Sequence, residues 1–261
     1  TARPAAFQHA IDAMAVAGAL IRSRSTDDRL VALAMTAGLL HDVGEMYISP
    51  AYGEADALST LDVSVLSTAN IRALATDVLS GLSSAQAHAL SAAQAAALTS
   101  TQAATLGSDQ VGALLTEAIA ALSTDAVRAL TTDVIANLGT AHIAVLSTAD
   151  IAALTTDQIS VLGNDQIVAL SSADAAALSS TQAAALSSAQ VGAMESVDFA
   201  ALSTAAIRAL STDTVSGLTS TQINGLTTAQ MAALATAQIT VLSSEDLAAM
   251  VSAHVAVLTT T

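Results

Sequence analysis

Leucine recurs every eight residues through most of this chain. Stepping by eight from Leu58 to Leu258 visits 26 positions, and 24 of them are leucine, the exceptions being Met194 and Met250. We number the residue after each leucine as position 1, so that the next leucine is position 8. Position 5 is apolar in all 25 complete octads, position 4 is Gln in 11, and position 1 is Ser or Thr at 18 of the 26 places. Residues 58–261 are therefore an internal repeat with a fixed period of eight.

A period of eight fits neither a continuous helix nor a continuous strand. An α-helix turns about 100° per residue, so eight residues overshoot two turns by about 80° and a leucine stripe winds around the helix. In a strand, positions 5 and 8 point to opposite faces. Alanine, which is abundant here, is the best helix former and a poor strand former. The pattern predicts helices that break once per octad, with an eight-residue β-solenoid rung as the alternative.

The residues at the break predict how each helix begins. Ser or Thr at position 1 and Gln at position 4 form the S/T-x-x-Q capping box, in which each side chain binds the other residue's backbone amide. Asp at positions 3 and 4 lies in the first helical turn, where the helix dipole favours a negative charge. Each octad is thus expected to hold a helix of little more than one turn.

Such a short helix is unstable alone, because nucleation is costly below about 12 residues. Stacked neighbours that bury the residues of positions 5 and 8 in one axis supply the missing stability, as in a solenoid. We therefore predict an all-α solenoid, a narrow right-handed superhelix with about three octads per turn. Ala or Gly at position 7 would allow close backbone approach, and Arg72, Arg128 and Arg208, all at position 6, would lie on the outer surface with Asp, Ser and Thr.

Charge and composition exclude several classes of function. The net charge is −15 and all seven basic residues are arginine, so binding to nucleic acid or to an anionic membrane through a basic face is not expected. The chain has no cysteine, which excludes disulfides and cysteine-ligated metals. The longest apolar stretches, residues 13–21 and 30–40, are shorter than a membrane span needs, so no membrane span is expected.

Residues 1–57 have a different character and form a separate predicted segment. Helices are expected from about residue 5 to 22 and from the Ser25 cap to about residue 42, where the sequence GLLHDVGEMYISP occupies residues 38–50. This motif resembles the metal site of HD-domain phosphohydrolases, particularly cyclic-dinucleotide phosphodiesterases. The resemblance covers residues 1–50.

The HD resemblance implies metal ligands at His41 and Asp42, with His9 as an earlier ligand. Imidazole and carboxylate ligands suit a divalent cation that activates water. The further ligands that an HD domain needs downstream are missing, and Glu45 stands where a basic residue is common. We expect a truncated HD-like segment that caps the first coil of the solenoid, because solenoid ends need a cap.

These observations predict a structural or spacer protein that is not an enzyme, with an acidic surface and no catalytic residue or cofactor. The repeats also resemble the Ala-Leu-Thr-rich tracts of large bacterial surface and adhesin-like proteins, which implies a cell-surface or secreted location. Two alternatives stay open: a metal-dependent HD-type phosphohydrolase and a repeat scaffold that binds a protein partner. Such a repeat also allows copies of the chain to associate with one another, as a homo-oligomer or end to end.

Overall fold

The computed structural model describes residues 63–64 and 66–258, and this part of the chain is all-α. None of these residues lies in a β-strand, so the alternative of a β-solenoid is wrong for them. The chain divides into two compact units between Leu122 and Ser123. The predicted boundary between residues 57 and 58 lies outside the described residues.

Seven helices belong to the described part of the first unit: α1 (Thr68–Ala73), α2 (Thr76–Ser80), α3 (Ser84–His88), α4 (Ala92–Ala96), α5 (Ser100–Ala103), α6 (Ser108–Ala113) and α7 (Thr116–Ala121). The described part of the second unit has seventeen: α8 (Thr124–Ala129), α9 (Thr132–Asn137), α10 (Thr140–Ala144), α11 (Thr148–Ala153), α12 (Thr156–Ser160), α13 (Asn164–Val168), α14 (Ser172–Ala177), α15 (Ser180–Ala184), α16 (Ser188–Ala193), α17 (Ser196–Ala201), α18 (Thr204–Ala209), α19 (Thr212–Ser216), α20 (Ser220–Gly225), α21 (Thr228–Ala233), α22 (Thr236–Ile239), α23 (Ser244–Ala249) and α24 (Ser252–Leu258).

Each of these helices starts at position 2 of an octad. The last one, α24, ends at Leu258 itself, and the others end directly before the position 8 residue or one or two residues earlier. Between α11 and α12 the break consists of Leu154, with φ −55° and ψ 140°, and Thr155, with φ −72° and ψ 162°. Both conformations are extended, so the helix stops at the leucine and restarts after the hydroxyl residue. The predicted break of the helix once per octad is confirmed.

Helices pack on the helix three places further along the chain. In the first unit, for example, α1 packs on α4, and in the second unit α8 packs on α11 and α11 on α14. Contacts at this interval mean that three octads complete one turn of the superhelix within each unit. The predicted solenoid is confirmed by this packing, while its right-handedness stays a prediction.

Positions 5 and 8 form the core, as predicted. Ile159 and Leu162 are typical, with 0% and 4% of their surface exposed, and Phe199 is the largest fully buried side chain at position 5. Full burial of a branched aliphatic side chain contributes about 1.5–3 kcal/mol. Most described octads contribute two buried apolar side chains, although position 5 is alanine in five of them, so the core extends along each unit.

The expectation that position 7 needs a small residue holds at few places. Most position 7 residues are only half-buried, and Val145 and Val161 are accommodated there. Gly217 is an exception, because a Cβ added to it would lie 2.0 Å from the Ser188 hydroxyl oxygen. Close approach at position 7 is therefore a local requirement and not a rule of the repeat.

Candidate functional site

The outward face of the repeat carries small and polar side chains. Position 6 is exposed or, at Ala200, half-buried, and it is mostly Ala, Ser or Gly. Arg72, Arg128 and Arg208 are exposed, as predicted. No chemically coherent row of position 6 residues runs along either unit in the described part of the chain.

The predicted metal ligands His9, His41 and Asp42 lie outside the described residues, so the structure does not test them. Within residues 63–258, no group of three or more His, Asp or Glu side chains is arranged to hold a metal ion. His88 is exposed, and its Nδ1 lies 2.8 Å from the carbonyl oxygen of Ala113. No helix among the described residues has the length and apolarity of a membrane span.

The most regular polar feature of the structure is a buried ladder of glutamines at position 4, of which Gln182 is representative. Its side-chain Oε1 accepts the backbone N–H of Ser179 at 2.9 Å. The backbone N–H of Gln182 donates to the Ser179 hydroxyl at 3.2 Å. These two bonds are the predicted capping box, and they begin α15. The side chain is only 2% exposed.

The other end of the same amide connects neighbouring turns. Nε2 of Gln182 donates to the carbonyl oxygens of Ile151 and Leu154, each at 2.9 Å, which lie 31 and 28 residues earlier in the chain. Both carbonyls belong to the end of α11, one superhelical turn away. A single side chain therefore caps its own helix and binds the end of an earlier one.

Among contacts between described residues, ten glutamines make this second contact, with Nε2 lying 2.6–3.2 Å from the position 8 carbonyl 28 residues earlier. They are Gln94, Gln102 and Gln110 in the first unit and Gln158, Gln166, Gln182, Gln190, Gln222, Gln230 and Gln238 in the second. We call this set the glutamine ladder. Buried polar groups are retained where their hydrogen bonds are satisfied, and here every amide has donors and acceptors in use.

Aspartate replaces glutamine at position 4 in several octads and is also buried, against the expectation that the repeat carboxylates lie on the outer surface. Asp174 is 7% exposed, and its Oδ2 accepts the backbone N–H of Ser171 at 3.0 Å and the Ser171 hydroxyl at 2.7 Å. The expectation fails because position 4 points to the corner between turns, whatever residue occupies it. A carboxylate has no N–H, so it donates nothing to the carbonyls of the earlier turn. At Asp150 and Asp198, Oδ1 instead accepts the hydroxyls of Thr124 and Ser172, each 26 residues earlier.

Two other side chains at position 4 donate in the manner of glutamine. The Thr214 hydroxyl donates to the carbonyl of Leu186 at 3.1 Å, and Nε2 of His254 lies 2.7 Å from the carbonyl oxygen of Leu226. Because a carbonyl only accepts, the His254 tautomer in this contact carries its proton on Nε2. Donation from position 4 to the carbonyl 28 residues earlier is therefore made by glutamine, threonine and histidine among the described residues.

A surface hollow of about 340 Å³ lies over one corner of the second unit. It is lined by Arg128, residues 152–156, Ser179, Thr181 and Gln182. The Gln182 amide and the Ser179 hydroxyl already serve the capping box. The polar groups of the hollow are thus largely used by the fold, and no nucleophile lies beside a base among its lining residues.

These features define a helical repeat protein. The chain is similar to the ALTTAQ repeat, whose family model matches residues 104–140, 135–164 and 191–228. Residues 153–158 read ALTTDQ and run from the end of α11, through the extended corner, to the capping glutamine of α12. Neither a curated protein nor a solved structure matches the chain. The comparisons give no support to the HD-domain and adhesin resemblances.

Sequence reasoning identified the capping role of the glutamines and missed their contact with the earlier turn. The sequence feature that indicated this contact is the frequency of glutamine at position 4. Capping of a solvent-exposed helix alone does not require glutamine so often. The partners of the amide depend on the number of octads per turn, which the period of eight does not determine.

Proposed function

We propose that this chain is a structural spacer, an elongated acidic rod built from repeated octads. The observation that supports this most directly is the use of the buried polar side chains. The side-chain amides of Gln182 and its equivalents join neighbouring turns to one another. The outward position 6 carries mostly small side chains that form no chemically coherent row.

The surface charge suits such a spacer. The net charge of −15 keeps an alanine-rich surface hydrated and repels other copies of the chain along their lengths. Exposed acidic residues at position 3, such as Asp157 and Asp165, lie in the first turn of their helices. There they add a favourable interaction with the helix dipole of about 0.3–1 kcal/mol.

The surface gives less support to a scaffold that recognises a protein through a groove. Binding surfaces are enriched in Tyr, Trp, Met and Arg, whereas position 6 is dominated by Ala, Ser and Gly. In the second unit, the exposed Arg128 and Arg208 fall in different columns of the superhelix, since their octads are not separated by a multiple of three. We therefore prefer the spacer function.

Scattering and circular dichroism of the full chain test the proposal. We expect a helix-type spectrum and the scattering profile of a rod. The sharpest control is a variant that lacks residues 163–186, which are three complete octads and one superhelical turn. Its maximum dimension should fall while its cross-section stays unchanged. A spherical particle, or a deletion that changes the cross-section and leaves the length unchanged, would contradict the proposal.

The proposal assigns no enzymatic activity and no cofactor to the chain, and this part has its own test. Metal analysis of the purified protein and hydrolysis of a model phosphodiester should both give blank results. Bound iron or manganese, with hydrolysis abolished by His41→Ala and retained in His88→Ala, would favour the phosphohydrolase alternative instead.

End-to-end association is the interaction that a spacer of this kind supports best, because the ends of a solenoid expose its core. Light scattering over a hundredfold range of protein concentration measures it. We expect weak association that becomes stronger when salt screens the acidic repulsion. A monomer at every concentration and salt level would remove association from the proposed function and leave the spacer itself in place.

A further inference from the structure

The position 4 aspartates of the second unit all lie in one column of the superhelix. Equivalent residues in successive turns of a column are 24 residues apart, because three octads complete one turn. Helices α11, α14, α17, α20 and α23 stack in this way. Their position 4 residues are Asp150, Asp174, Asp198, Gln222 and Asp246, whereas the other two columns of the unit carry no carboxylate at position 4. We call this column the aspartate column.

In the other two columns, a glutamine at position 4 binds the end of a helix in the turn before. Nε2 of Gln182 lies 2.9 Å from the carbonyl oxygens of Ile151 and Leu154. It also lies 3.3 Å from the carbonyl oxygen of Ala152. Gln190, in the next column, repeats this arrangement with distances of 2.8–3.4 Å. Each such amide therefore joins two turns through several main-chain acceptors at once.

The corner at Asp174 has none of these contacts. Oδ2 of Asp174 accepts from Ser171 in its own octad, and no hydrogen bond between described residues joins Asp174 to the turn before. The equivalent carbonyls, those of Ile143, Ala144 and Leu146, accept no side-chain donor from the described residues. Because each hydrogen bond between turns adds to the stability of their contact, the two turns are held less firmly at this corner.

The corners above and below Asp174 in the same column are joined by a single contact of another kind. The Thr124 hydroxyl donates to Oδ1 of Asp150 at 2.8 Å, and the Ser172 hydroxyl donates to Oδ1 of Asp198 at 2.5 Å. A glutamine makes two or three bonds to the earlier turn at the same place. The aspartate column therefore has fewer hydrogen bonds between turns than its two neighbours.

We infer that the turns of the second unit separate first along the aspartate column, with the corner of Asp174 as a point of local opening. Opening at this corner breaks no side-chain hydrogen bond from position 4 to the turn before, whereas opening at Gln182 breaks three. Local opening in a protein starts where the fewest contacts are lost. The glutamine columns keep the turns connected meanwhile, so the superhelix yields on one side. The inference concerns the second unit alone and does not depend on the spacer proposal.

Two buried alanines provide a matched pair of probes. Ala175 follows Asp174 and Ala183 follows Gln182, and both alanines are at position 5 and 0% exposed. The chain has no cysteine, so Ala175→Cys and Ala183→Cys each give the full chain one buried thiol. Its rate of reaction with a disulfide reagent reports how often the corner opens. Ala176→Cys, at an exposed position 6, gives the rate for an accessible thiol.

We expect the thiol at residue 175 to react about tenfold faster than the thiol at residue 183 in the folded protein. Asp174→Gln should slow the reaction at residue 175 towards the rate at residue 183 and leave residue 183 unaffected. The reverse exchange, Gln182→Asp, should accelerate the reaction at residue 183. Equal rates at the two residues would overturn the inference, as would a rate at residue 175 that Asp174→Gln does not change.

Hydrogen exchange makes the same comparison without any substitution, should a cysteine variant not fold. The backbone N–H groups of Ala175 and Ala183 donate to the carbonyls of Ser171 and Ser179, both at 2.9 Å. Because the two local bonds are matched, a difference in exchange rate reports the opening of the corners. We expect faster exchange at Ala175. Equal exchange at the two residues, or faster exchange at Ala183, would contradict the inference whether or not the full chain is a rod.

Discussion

The side-chain nitrogen of Gln182 lies 2.9 Å from the carbonyl oxygen of Leu154, 28 residues earlier in the chain. The same amide accepts the N–H of Ser179 at the start of its own helix. One buried side chain thus fixes where a helix begins and which earlier helix it lies against. The repeat of this relationship through each unit explains why helices of four to seven residues are stable here.

Replacement of Gln182 by glutamate separates its two roles. Gln182→Glu keeps an acceptor for the N–H of Ser179 and places a carboxylate oxygen against the carbonyls of Ile151 and Leu154. We expect a loss of about 1–3 kcal/mol in the free energy of unfolding, because a buried hydrogen bond is replaced by an unfavourable contact. Urea denaturation measures this loss.

The control for this substitution is Ala189→Glu, which adds the same charge at an exposed position 3 of the next octad. It should change the free energy of unfolding by no more than about 0.5 kcal/mol. Equal effects of the two variants would show that net charge, and not the contact between turns, is responsible.

The buried aspartates predict a stabilising substitution. Asp174 makes the capping contact with Ser171, but it has no N–H for the carbonyl of Leu146, which lies where the ladder would find its acceptor. Asp174→Gln should therefore raise the free energy of unfolding by about 0.5–1.5 kcal/mol, measured as a higher melting temperature. Asp165→Gln, which removes an exposed carboxylate, should not stabilise the protein, and a lower melting temperature for Asp174→Gln would contradict the argument.

Adjacent serines at the start of α15 provide a test of the cap. The Ser179 hydroxyl accepts the N–H of Gln182, whereas Ser180 is exposed at position 2. Ser179→Ala should cost about 1 kcal/mol and Ser180→Ala close to nothing. Thermal unfolding distinguishes them, and similar melting temperatures would show that the hydroxyl at position 1 does not determine the helix start.

Two glycines of the second unit should respond to alanine in opposite directions. At Gly217, an added Cβ would lie 2.0 Å from the Ser188 hydroxyl oxygen and 3.3 Å from the Ser188 Cβ, while at Gly192 it meets nothing within 4 Å. Gly217→Ala should destabilise by about 1–3 kcal/mol, and Gly192→Ala, inside α16, should stabilise by up to about 1 kcal/mol. Urea midpoints of the two variants measure both effects. A stabilised Gly217→Ala would mean that Ser188 rotates away at little cost.

Much of the fold follows from the sequence because the residues within each octad determine where its helix begins and ends. The hydroxyl of Thr155 and the amide of Gln158 predict the start of α12, and Leu154 before them predicts the break. The contact of Gln158 with Leu130, 28 residues earlier, was not predictable in the same way. It depends on the number of octads per turn, and a constant period is compatible with several such numbers.

The error on the carboxylates has a similar origin. Asp174 and Asp165 both lie in the first turn of a helix, and sequence alone treats them alike. The structure buries the first and exposes the second, because position 4 faces the corner between turns and position 3 faces outward. The metal ligands implied by the HD resemblance, His41 and Asp42, lie outside the described residues and stay a prediction.

The central claim is that the position 4 amide joins each turn to the one before it, and nuclear magnetic resonance tests this claim most directly. The side-chain amide protons of Gln182 should exchange slowly with solvent and show nuclear Overhauser contacts to Ile151 and Leu154, 31 and 28 residues earlier. Rapid exchange of these protons, with contacts only to Ser179 and its neighbours, would contradict the account.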